Sequence, residues 1–324
     1  MHRRRLLQAS AGAIVLAALP FKVRAQSWPS KSLRLIVPFP PGGTTDYVSR
    51  LVGVEMSKAL GQSVVVDNKP GAGTVIGVDA AAKAAPDGHT IVCVANSFCV
   101  NHTLVRNLPY NSLTDLRPVA LMGLSEHVLC AHPASGIQSL ADITRLSRSK
   151  PGSLSYASFG IGTSAHLAGE MLKAQLGLDI VHVPYKGQAP ALTDLLGGQV
   201  TLMFGNWPEF RTYVQSGKLI ALGMATAQRS SYAPQVPTLA EQGVPVESNS
   251  WNGLLVPAAT PDAVVLRLNS EVNRALDAPV IKEAFAKGGI AAHAGSPDKF
   301  AAFIQSEIAR YAQVIRQARI TQDS

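Results

Sequence analysis

Two glycines, two threonines and an aspartate follow a proline-rich turn in the segment 39–46, which reads Phe-Pro-Pro-Gly-Gly-Thr-Thr-Asp. An apolar run (33–37) precedes the segment and apolar residues at helical spacing follow it, so the pattern predicts a strand, a tight loop and a helix N-terminus. The first N–H groups of a helix lack intrahelical acceptors, and the helix dipole adds partial positive charge there. Such a loop binds an anion without a lysine or an arginine. The predicted chemistry is the capture of a carboxylate.

A second loop of this kind joins the predicted strand 153–158 to a helical pattern and reads Gly-Ile-Gly-Thr-Ser at 160–164. Gly160-x-Gly162-x-x-Ala165 formally matches the dinucleotide fingerprint, which requires an acidic residue at the end of the next strand. That strand ends in His-Val-Pro-Tyr-Lys (182–186), without an acid. Thr163 and Ser164 are therefore predicted donors of a second anion-binding loop, and a purely structural turn remains the alternative.

Three residues beside these loops have two possible roles each. Asp46, in the first turn of its helix, either stabilises the helix dipole or contacts the ligand. His166, in the first turn after the second loop, either reaches the ligand or packs and hydrogen-bonds locally. Lys186 either supplies charge for a second carboxylate or is a solvated turn lysine.

Residues for covalent or metal chemistry are sparse. The sequence has no Gly-x4-Gly-Lys-Ser/Thr phosphate loop and no Gly-x-Ser-x-Gly nucleophile elbow. Ser164 and His166 form one close Ser/His pair, without a convincing third member. His127 and His132 are an odd number of residues apart in a strand-like run, so they face opposite sides. We expect no enzymatic activity, no cofactor and no metal. An exported hydrolase or transferase and a ligand-sensing receptor are the alternatives.

Strands and helices alternate along the chain, which predicts an α/β fold with a parallel-rich sheet. The start signals Thr260-Pro261-Asp262 and Ser296-Pro297-Asp298 predict two C-terminal helices. Ligand-competent loops then lie at the carboxyl ends of strands, where open α/β sheets bind small molecules. The predicted strands are 33–37, 63–67, 90–95, 153–158, 179–183, 200–204 and 219–224.

The N-terminus has the features of an export signal. Three arginines (3–5) precede an uncharged stretch (6–21), and Val23-Arg24-Ala25 predicts cleavage after Ala25. The arginines suit a twin-arginine signal as well as an ordinary secretory one. Removing residues 1–25 lowers the net charge from +8 to +3, because five cations leave with them. This charge is too small for a nucleic-acid-binding protein. The remaining length favours two domains.

The three cysteines, Cys93, Cys99 and Cys130, cannot form a complete set of intramolecular disulfides in an exported protein. Cys93 and Cys99 either pair or are buried as small apolar residues. The second alternative is favoured.

Several motifs, in order along the mature chain, resemble the Bug family of exported receptors of tripartite tricarboxylate transporters. They are Trp28-Pro29, the segment 36–43, Asp46-x3-Arg50, the segments 68–73, 87–90, 182–187 and 195–200, Val236-Pro237-Thr238, and Trp251-x-Gly253.

The resemblance implies a two-domain periplasmic binding protein of the Venus-flytrap, type II-like class, with a mixed, mostly parallel sheet flanked by helices in each domain. The implied domains are 26–122 plus 252–324 and 123–251, after the signal peptide 1–25. The resemblance also implies a periplasmic monomer that captures a small organic carboxylate and docks transiently on a membrane transporter. The implied ligand-binding residues are Phe39, Pro41, Gly42, Gly43, Thr44, Thr45, Asp46, Asn96, Ser97, Ser158, Gly160, Gly162, Thr163, Ser164, His166, Tyr185, Lys186, Gly205 and Asn206.

One departure concerns the strand 200–204, where the family commonly has the pattern Val-Asp-Leu-Met-Phe-Asp. This chain has Thr201 and Gly205 at the acidic positions, and Asn206-Trp207 follow. Loss of the second acid, with an indole nearby, is the basis for the hypothesis that the ligand is a bulkier or aromatic acid.

Overall fold

The computed structural model describes residues 28–321, so the predicted signal peptide lies outside the described residues. These residues form ten strands and ten α-helices. The strands are β1 (Leu33–Val37), β2 (Val64–Asn68), β3 (Thr90–Val94), β4 (Leu116–Ala131), β5 (Leu154–Ser158), β6 (Ile180–Pro184), β7 (Leu202–Asn206), β8 (Ile220–Met224), β9 (Asn249–Pro257) and β10 (Ile290–Ala292).

The helices flank both faces of the sheet. They are α1 (Thr44–Leu60), α2 (Val75–Ala82), α3 (Asn96–Leu104), α4 (Leu140–Ser149), α5 (Ser164–Leu176), α6 (Gln188–Leu196), α7 (Trp207–Gln215), α8 (Asp262–Asp277), α9 (Pro279–Gly288) and α10 (Pro297–Gln317). The helices α8 and α10 begin at the two predicted start signals, and Ser296 caps α10 by accepting a hydrogen bond from Lys299 N. Within 28–321, no helix has the length and apolarity needed to span a membrane.

The long strand β4 joins two halves of one mixed sheet, ordered β2-β1-β3-β9-β4-β7-β5-β6. From Leu116 to Glu126, β4 pairs antiparallel with β9, and from His127 to Ala131 it pairs antiparallel with β7. We call the β1, β2, β3, β9 and β10 side the first lobe, and the β5, β6, β7 and β8 side the second lobe. The β1–β2, β1–β3, β5–β6 and β5–β7 pairs are parallel.

Each lobe has an apolar core on both faces of its sheet. In β1, Leu35 and Val37 pack on the α1 and α8 side, whereas Ile36 packs on the α2, α3 and α10 side. This alternation follows from the two-residue period of a strand. Fully burying one such side chain contributes about 1.5–3 kcal/mol, so these cores hold the site loops on fixed supports.

All three cysteines are free and buried. The prediction of buried thiols is confirmed, and Cys93 and Cys99 are not paired. Cys93 and Cys99 contribute to the first-lobe cores and Cys130 to a second-lobe core.

Candidate functional site

Five helices direct their N-termini at one cavity between the lobes. Gly43, Ala95, Thr163, Gly187 and Asn206 are the N-cap residues of α1, α3, α5, α6 and α7, and all five line this cavity. The space has a volume of about 40 Å³. We call it the central cavity. Its other lining residues are Phe39, Pro40, Pro41, Thr44, Thr45, Asn96, Ser97, Phe159, Ser164, Gln188, Ala189, Pro190 and Ser250.

The central cavity offers hydrogen-bond donors without charge. None of the five N-cap side chains accepts a hydrogen bond from its own helix, whereas Ser139 caps α4, away from the cavity. The backbone N–H groups of Thr44 and Glu209 hydrogen-bond the Glu209 carboxylate. The first-turn N–H groups without such an acceptor remain available to a ligand, and five helix dipoles add partial positive charge. Among the described residues, none that lines the cavity is charged. This arrangement favours a small anion.

The carboxylate of Asp46 lies behind the first loop rather than in the cavity. It accepts hydrogen bonds from Gly42 N at 3.1 Å, Arg50 Nε at 3.0 Å and Asn68 Nδ2 at 2.9 Å. Asn68 Nδ2 also donates to Phe39 O at 3.0 Å. Burial acts to raise the pKa of Asp46, but hydrogen bonds from Arg50, Asn68 and Gly42 lower it overall. Asp46 thus fixes the loop and does not line the cavity.

His166 and His182 hold the second loop (158–164) in place through hydrogen bonds and ring stacking. Gly162 N donates to His166 Nδ1 at 3.2 Å, and the His166 ring stacks on His182 at a centroid distance of 4.3 Å. Ser158 Oγ lies 2.8 Å from His182 Nε2 and accepts a hydrogen bond from Gly160 N at 3.2 Å. Of the two roles predicted for His166, the structure places it in local packing and hydrogen bonding.

Hydrogen bonds cross from lobe to lobe at the start of α1. Thr44 Oγ1 donates to the carboxylate of Glu209 on α7 and accepts from Asn206 Nδ2 at 2.8 Å. Asn206 N in turn donates to Gln188 Oε1 at 3.2 Å. Burial raises the pKa of Glu209, and the hydrogen bond from Thr44 opposes that effect. These bonds connect α1 of the first lobe with α6 and α7 of the second lobe.

Two glycines of the second lobe lie close to side chains of the first lobe. Gly162 has φ +76, and a Cβ there would lie 3.1 Å from Asn101 Oδ1 of α3. Gly187 has φ +132, and its Cβ would lie 3.3 Å from Pro40. Both dihedrals lie in the region that glycine tolerates best.

A buried histidine stands behind Ser164. His127 Nε2 lies 3.4 Å from Ser164 Oγ, and His127 Nδ1 lies 3.0 Å from Ser248 Oγ. Burial lowers the pKa of His127 to about 3, although Asn206 acts in the opposite direction. His127 is therefore neutral near pH 7 and supports the start of α5. Within residues 28–321, no group of three or more His, Cys, Asp and Glu side chains is placed to hold a metal ion.

The sequence-predicted residues divide into three groups. Ten line the central cavity: Phe39, Pro41, Gly43, Thr44, Thr45, Asn96, Ser97, Thr163, Ser164 and Asn206. Four line adjoining grooves: Gly42, Gly160, Tyr185 and Lys186. Four of the remaining five, Asp46, Ser158, Gly162 and His166, lie behind the loops or between the lobes. The fifth, Gly205, is buried in β7 against the Phe210 ring.

Sequence reasoning missed Gln188 and Glu209. Gln188 follows a strand, a turn and Gly187, which is the same pattern that identified the other loops, so the pattern alone could have found it. Glu209 lies in the first turn of a helix that the sequence analysis did not predict.

The structure gives no support to the hypothesis that the ligand is an aromatic acid. Trp207 is 1% exposed, packs in the second-lobe core with Val128 and Phe210, and does not line the central cavity. An acid is also present at the lobe junction, because Glu209 meets Thr44 there. Trp207 and Gly205 thus give no reason to prefer an aromatic acid.

Comparison with known proteins identifies the family to which this chain belongs. The model of the tripartite tricarboxylate transporter family receptor matches residues 48–320. The protein BugT of Bordetella pertussis is 37% identical over 320 residues, which are 98% of each chain. A protein from the tcbD-tcbE intergenic region of Pseudomonas sp. strain P51 is 38% identical over 323 residues, covering 98% of this chain and 95% of the relative.

Solved structures agree in fold over nearly the whole described chain. The periplasmic binding protein BugD is 31% identical with a TM-score of 0.86, covering 91% of this chain and 99% of BugD. MatC of Rhodopseudomonas palustris, with bound malate, is 32% identical with a TM-score of 0.85, covering 89% and 99%. An R. palustris protein with adipate is 33% identical with a TM-score of 0.86, covering 91% and 99%. The present chain therefore belongs to the tripartite tricarboxylate transporter receptor family and has the α/β periplasmic-binding-protein fold of the Bug proteins.

Proposed function

We propose that this chain is a receptor that captures a small organic carboxylate in the central cavity and delivers it to a tripartite tricarboxylate-type transporter. The observation that carries the proposal is the convergence of five uncapped helix N-termini on a cavity without charged lining residues in the described chain. The malate and adipate bound to two relatives are carboxylates as well, which supports the same class of ligand.

Binding and closure are coupled in this proposal. The ligand receives donors from α1 and α3 of the first lobe and from α5, α6 and α7 of the second. Each hydrogen bond to an ionised group contributes about 1.5–3 kcal/mol. About four to six of them leave roughly −8 kcal/mol, a micromolar Kd, after the costs of association and closure.

We assign the lobes as two domains, 26–122 plus 252–324 and 123–251, that open and close around the cavity. The pairing partner of β4 changes from β9 to β7 between Glu126 and His127. Glu126 lies four residues after position 122, where the first segment of the first domain ends, so the change of partner supports the division. We also propose that residues 1–25 are a signal peptide cleaved after Ala25, and that the protein is a monomer that docks transiently on the transporter. Periplasmic residence is the last part of the proposal, and the family's periplasmic members support it.

The alternative is an enzymatic role. One observation favours it: the His127 ring lies within hydrogen-bond distance of the hydroxyl groups of Ser164 and Ser248. A general base works best with a pKa near the operating pH, and the pKa of His127 is about 3. Its second partner is a hydroxyl rather than a carboxylate. We therefore propose binding without catalysis.

Native mass spectrometry of protein exported and purified without refolding tests the function. We expect a co-purified organic acid, displaced by micromolar amounts of small carboxylates in calorimetry. Proton NMR after long incubation should show the acid unchanged. A crystal structure with the acid group bound outside the central cavity, or binding of neutral solutes with no binding of acids, would overturn the proposal.

A further inference from the structure

Thr44 contacts both the central cavity and the carboxylate of Glu209. It lines the cavity, and its hydroxyl group donates to Glu209 on α7. Asn206, which also lines the cavity, donates to the same Thr44 oxygen at 2.8 Å. Glu209 lines a second space, a groove of about 560 Å³ between α1, α7 and α9 that also touches Thr44. We call it the α9 groove. An anion in the central cavity and the Glu209 carboxylate are therefore neighbours of one threonine.

The Glu209 carboxylate carries its charge in an unfavourable place. Its Oε2 atom is buried and has no hydrogen-bond partner within residues 28–321. In the same part of the chain the carboxylate forms no ion pair, and burial raises the pKa of Glu209. Burial without a cation disfavours the ionised form of a carboxyl group. The site thus favours the protonated form of Glu209 even before a ligand arrives.

The charged and titratable groups around Glu209 do not supply a cation to its carboxylate in the described chain. Lys287 lines the α9 groove but pairs with Glu283, which lines it as well. Arg211 of α7 donates to Lys287 O at 2.8 Å. His127 of β4 is neutral near pH 7, because burial lowers its pKa to about 3. The remaining groups on the nearby parts of α1, α6 and α9 are Asp46 and Arg50, which pair with each other, Tyr47, Asp194, which accepts from Tyr185, and Lys282, which pairs with Asp277.

A ligand anion beside Thr44 adds a second negative charge to this region. The donors around Thr44 are uncharged, so they do not cancel the repulsion between the two anions, and the protein screens it less than water does. Two carboxylates that share a site raise the pKa of one of them for this reason. Protonation of Glu209 removes the repulsion and leaves the Thr44 hydroxyl bonded to a neutral carboxyl group.

We propose that the protein binds its anionic ligand together with a proton, which Glu209 takes up. The proton comes from the solvent and forms an O–H bond at the Glu209 carboxylate, so it cancels one negative charge of the ligand. Ligand affinity then increases as pH falls through the range in which Glu209 titrates. This coupling rests on the proposed function, because it takes the central cavity as the site of a carboxylate.

Calorimetry with acetate, lactate, malate, succinate and adipate from pH 5.5 to pH 8.5 tests the coupling. Each acid that binds is compared between the wild type and Glu209→Gln, whose amide is neutral at every pH. We expect the two affinities to converge at pH 5.5 and the variant to bind at least threefold more tightly at pH 8.5. Protonation of the ligand, or of His166 and His182 beside the second loop, affects both proteins and cancels in the ratio of affinities.

Proton uptake can also be measured directly. Titrations at one pH in phosphate and in Tris, which differ in ionisation enthalpy, give the number of protons taken up for each ligand bound. We expect the wild type to take up more than Glu209→Gln. Glu247→Gln, at an exposed acid of the same lobe that lines neither space, is the matched control and should behave as the wild type. Glu209→Ala is a second neutral variant, for use if Glu209→Gln does not fold.

The outcomes separate the coupling from the proposed function. If the ratio of affinities stays constant with pH, or the wild type and the neutral variant take up equal numbers of protons, the coupling is wrong and carboxylate capture still stands. If no small carboxylate binds the wild type at any pH, the coupling and the proposed function both fail.

Discussion

Thr44 and Glu209, 165 positions apart in the sequence, form a hydrogen bond across the two lobes, with the Thr44 hydroxyl as donor and the buried Glu209 carboxylate as acceptor. Asn206 donates to the same hydroxyl oxygen. The first residue of α1 is therefore tied to α7 at the edge of the central cavity. The Glu209 carboxylate is buried at this contact between the lobes, and within residues 28–321 it receives hydroxyl and amide groups but forms no ion pair.

Replacing Glu209 with glutamine should remove the pH dependence of stability that this burial creates. The pKa of Glu209 is raised in the folded protein, so its protonated form is favoured there and stability falls as pH rises from the usual carboxyl range through the raised value. We expect Glu209→Gln to melt above the wild type at pH 7, with the two Tm values converging towards pH 4. Differential scanning calorimetry measures both. Glu247→Gln, at an exposed site of the same lobe, should show no such convergence; convergence there would contradict the assignment to Glu209.

A methyl group at Gly162 should oppose closure. Its φ of +76 costs an alanine roughly 1–2 kcal/mol, and the new Cβ lies 3.1 Å from Asn101 Oδ1 in the other lobe. Gly152 has a similar φ of +70 with nothing near its Cβ position, so Gly152→Ala is the matched control. We expect both variants to lose similar stability in urea, but only Gly162→Ala to lose carboxylate affinity, by tenfold or more. Equal affinities in calorimetry would show that the approach of Gly162 to α3 is unimportant.

Removing the Asp46 carboxylate should loosen the first loop. Asp46→Ala leaves Gly42 N, Asn68 Nδ2 and Arg50 without their acceptor, which costs about 1–3 kcal/mol of unfolding free energy and weakens ligand binding. The lowered pKa of Asp46 means that this stabilisation is present at pH 7 and is lost as pH falls through the lowered value. Urea titrations at pH 7 and pH 3 measure the difference.

Asp142 provides the control for Asp46. It accepts hydrogen bonds from Arg145, Ser139 and Gln138 N in the first turn of α4, away from the cavity, and these bonds lower its pKa to about 2. Asp142→Ala should destabilise the protein with unchanged ligand affinity. A loss of affinity in this variant equal to that of Asp46→Ala would mean that the effect is global.

The Ser164 hydroxyl should serve binding and not turnover. Ser164→Ala removes one donor to an ionised ligand, so we expect a loss of affinity of about tenfold or somewhat more. NMR should show no chemical change of the bound acid with either protein. Turnover by the wild type that disappears in Ser164→Ala would establish catalysis instead.

Local patterns in the sequence predicted much of the site. A strand followed by a glycine-containing loop and a helix start places Gly43, Thr44, Thr163 and Ser164 at the cavity, because helix N-termini and turns depend on neighbouring residues. The helices α8 and α10 were found for the same reason. By contrast, the sequence analysis predicted the strand 90–95 but no helix after it, yet Asn96 and Ser97 begin α3, whose short apolar sequence has no distinctive cap.

Contacts between distant segments were not predictable in this way. The Thr44–Glu209 bond has no local sequence pattern, and the helix α7 that carries Glu209 is short. The 16-residue length of β4 also escaped prediction, because its partner changes from β9 to β7 along its course and the burial pattern changes with it.

The unbroken course of β4 has a mechanical consequence. Its neighbour β9 is paired with it as far as Glu126, and the second-lobe ladder takes over at His127 without an intervening loop. The proposed opening of the lobes would therefore twist a hydrogen-bonded ribbon, whose elastic resistance grows with the angle. We expect the stiffness of this ribbon to set the amplitude of the proposed opening, so that substitutions at residues 124–126 alter the rate of ligand release while the lining of the central cavity stays the same.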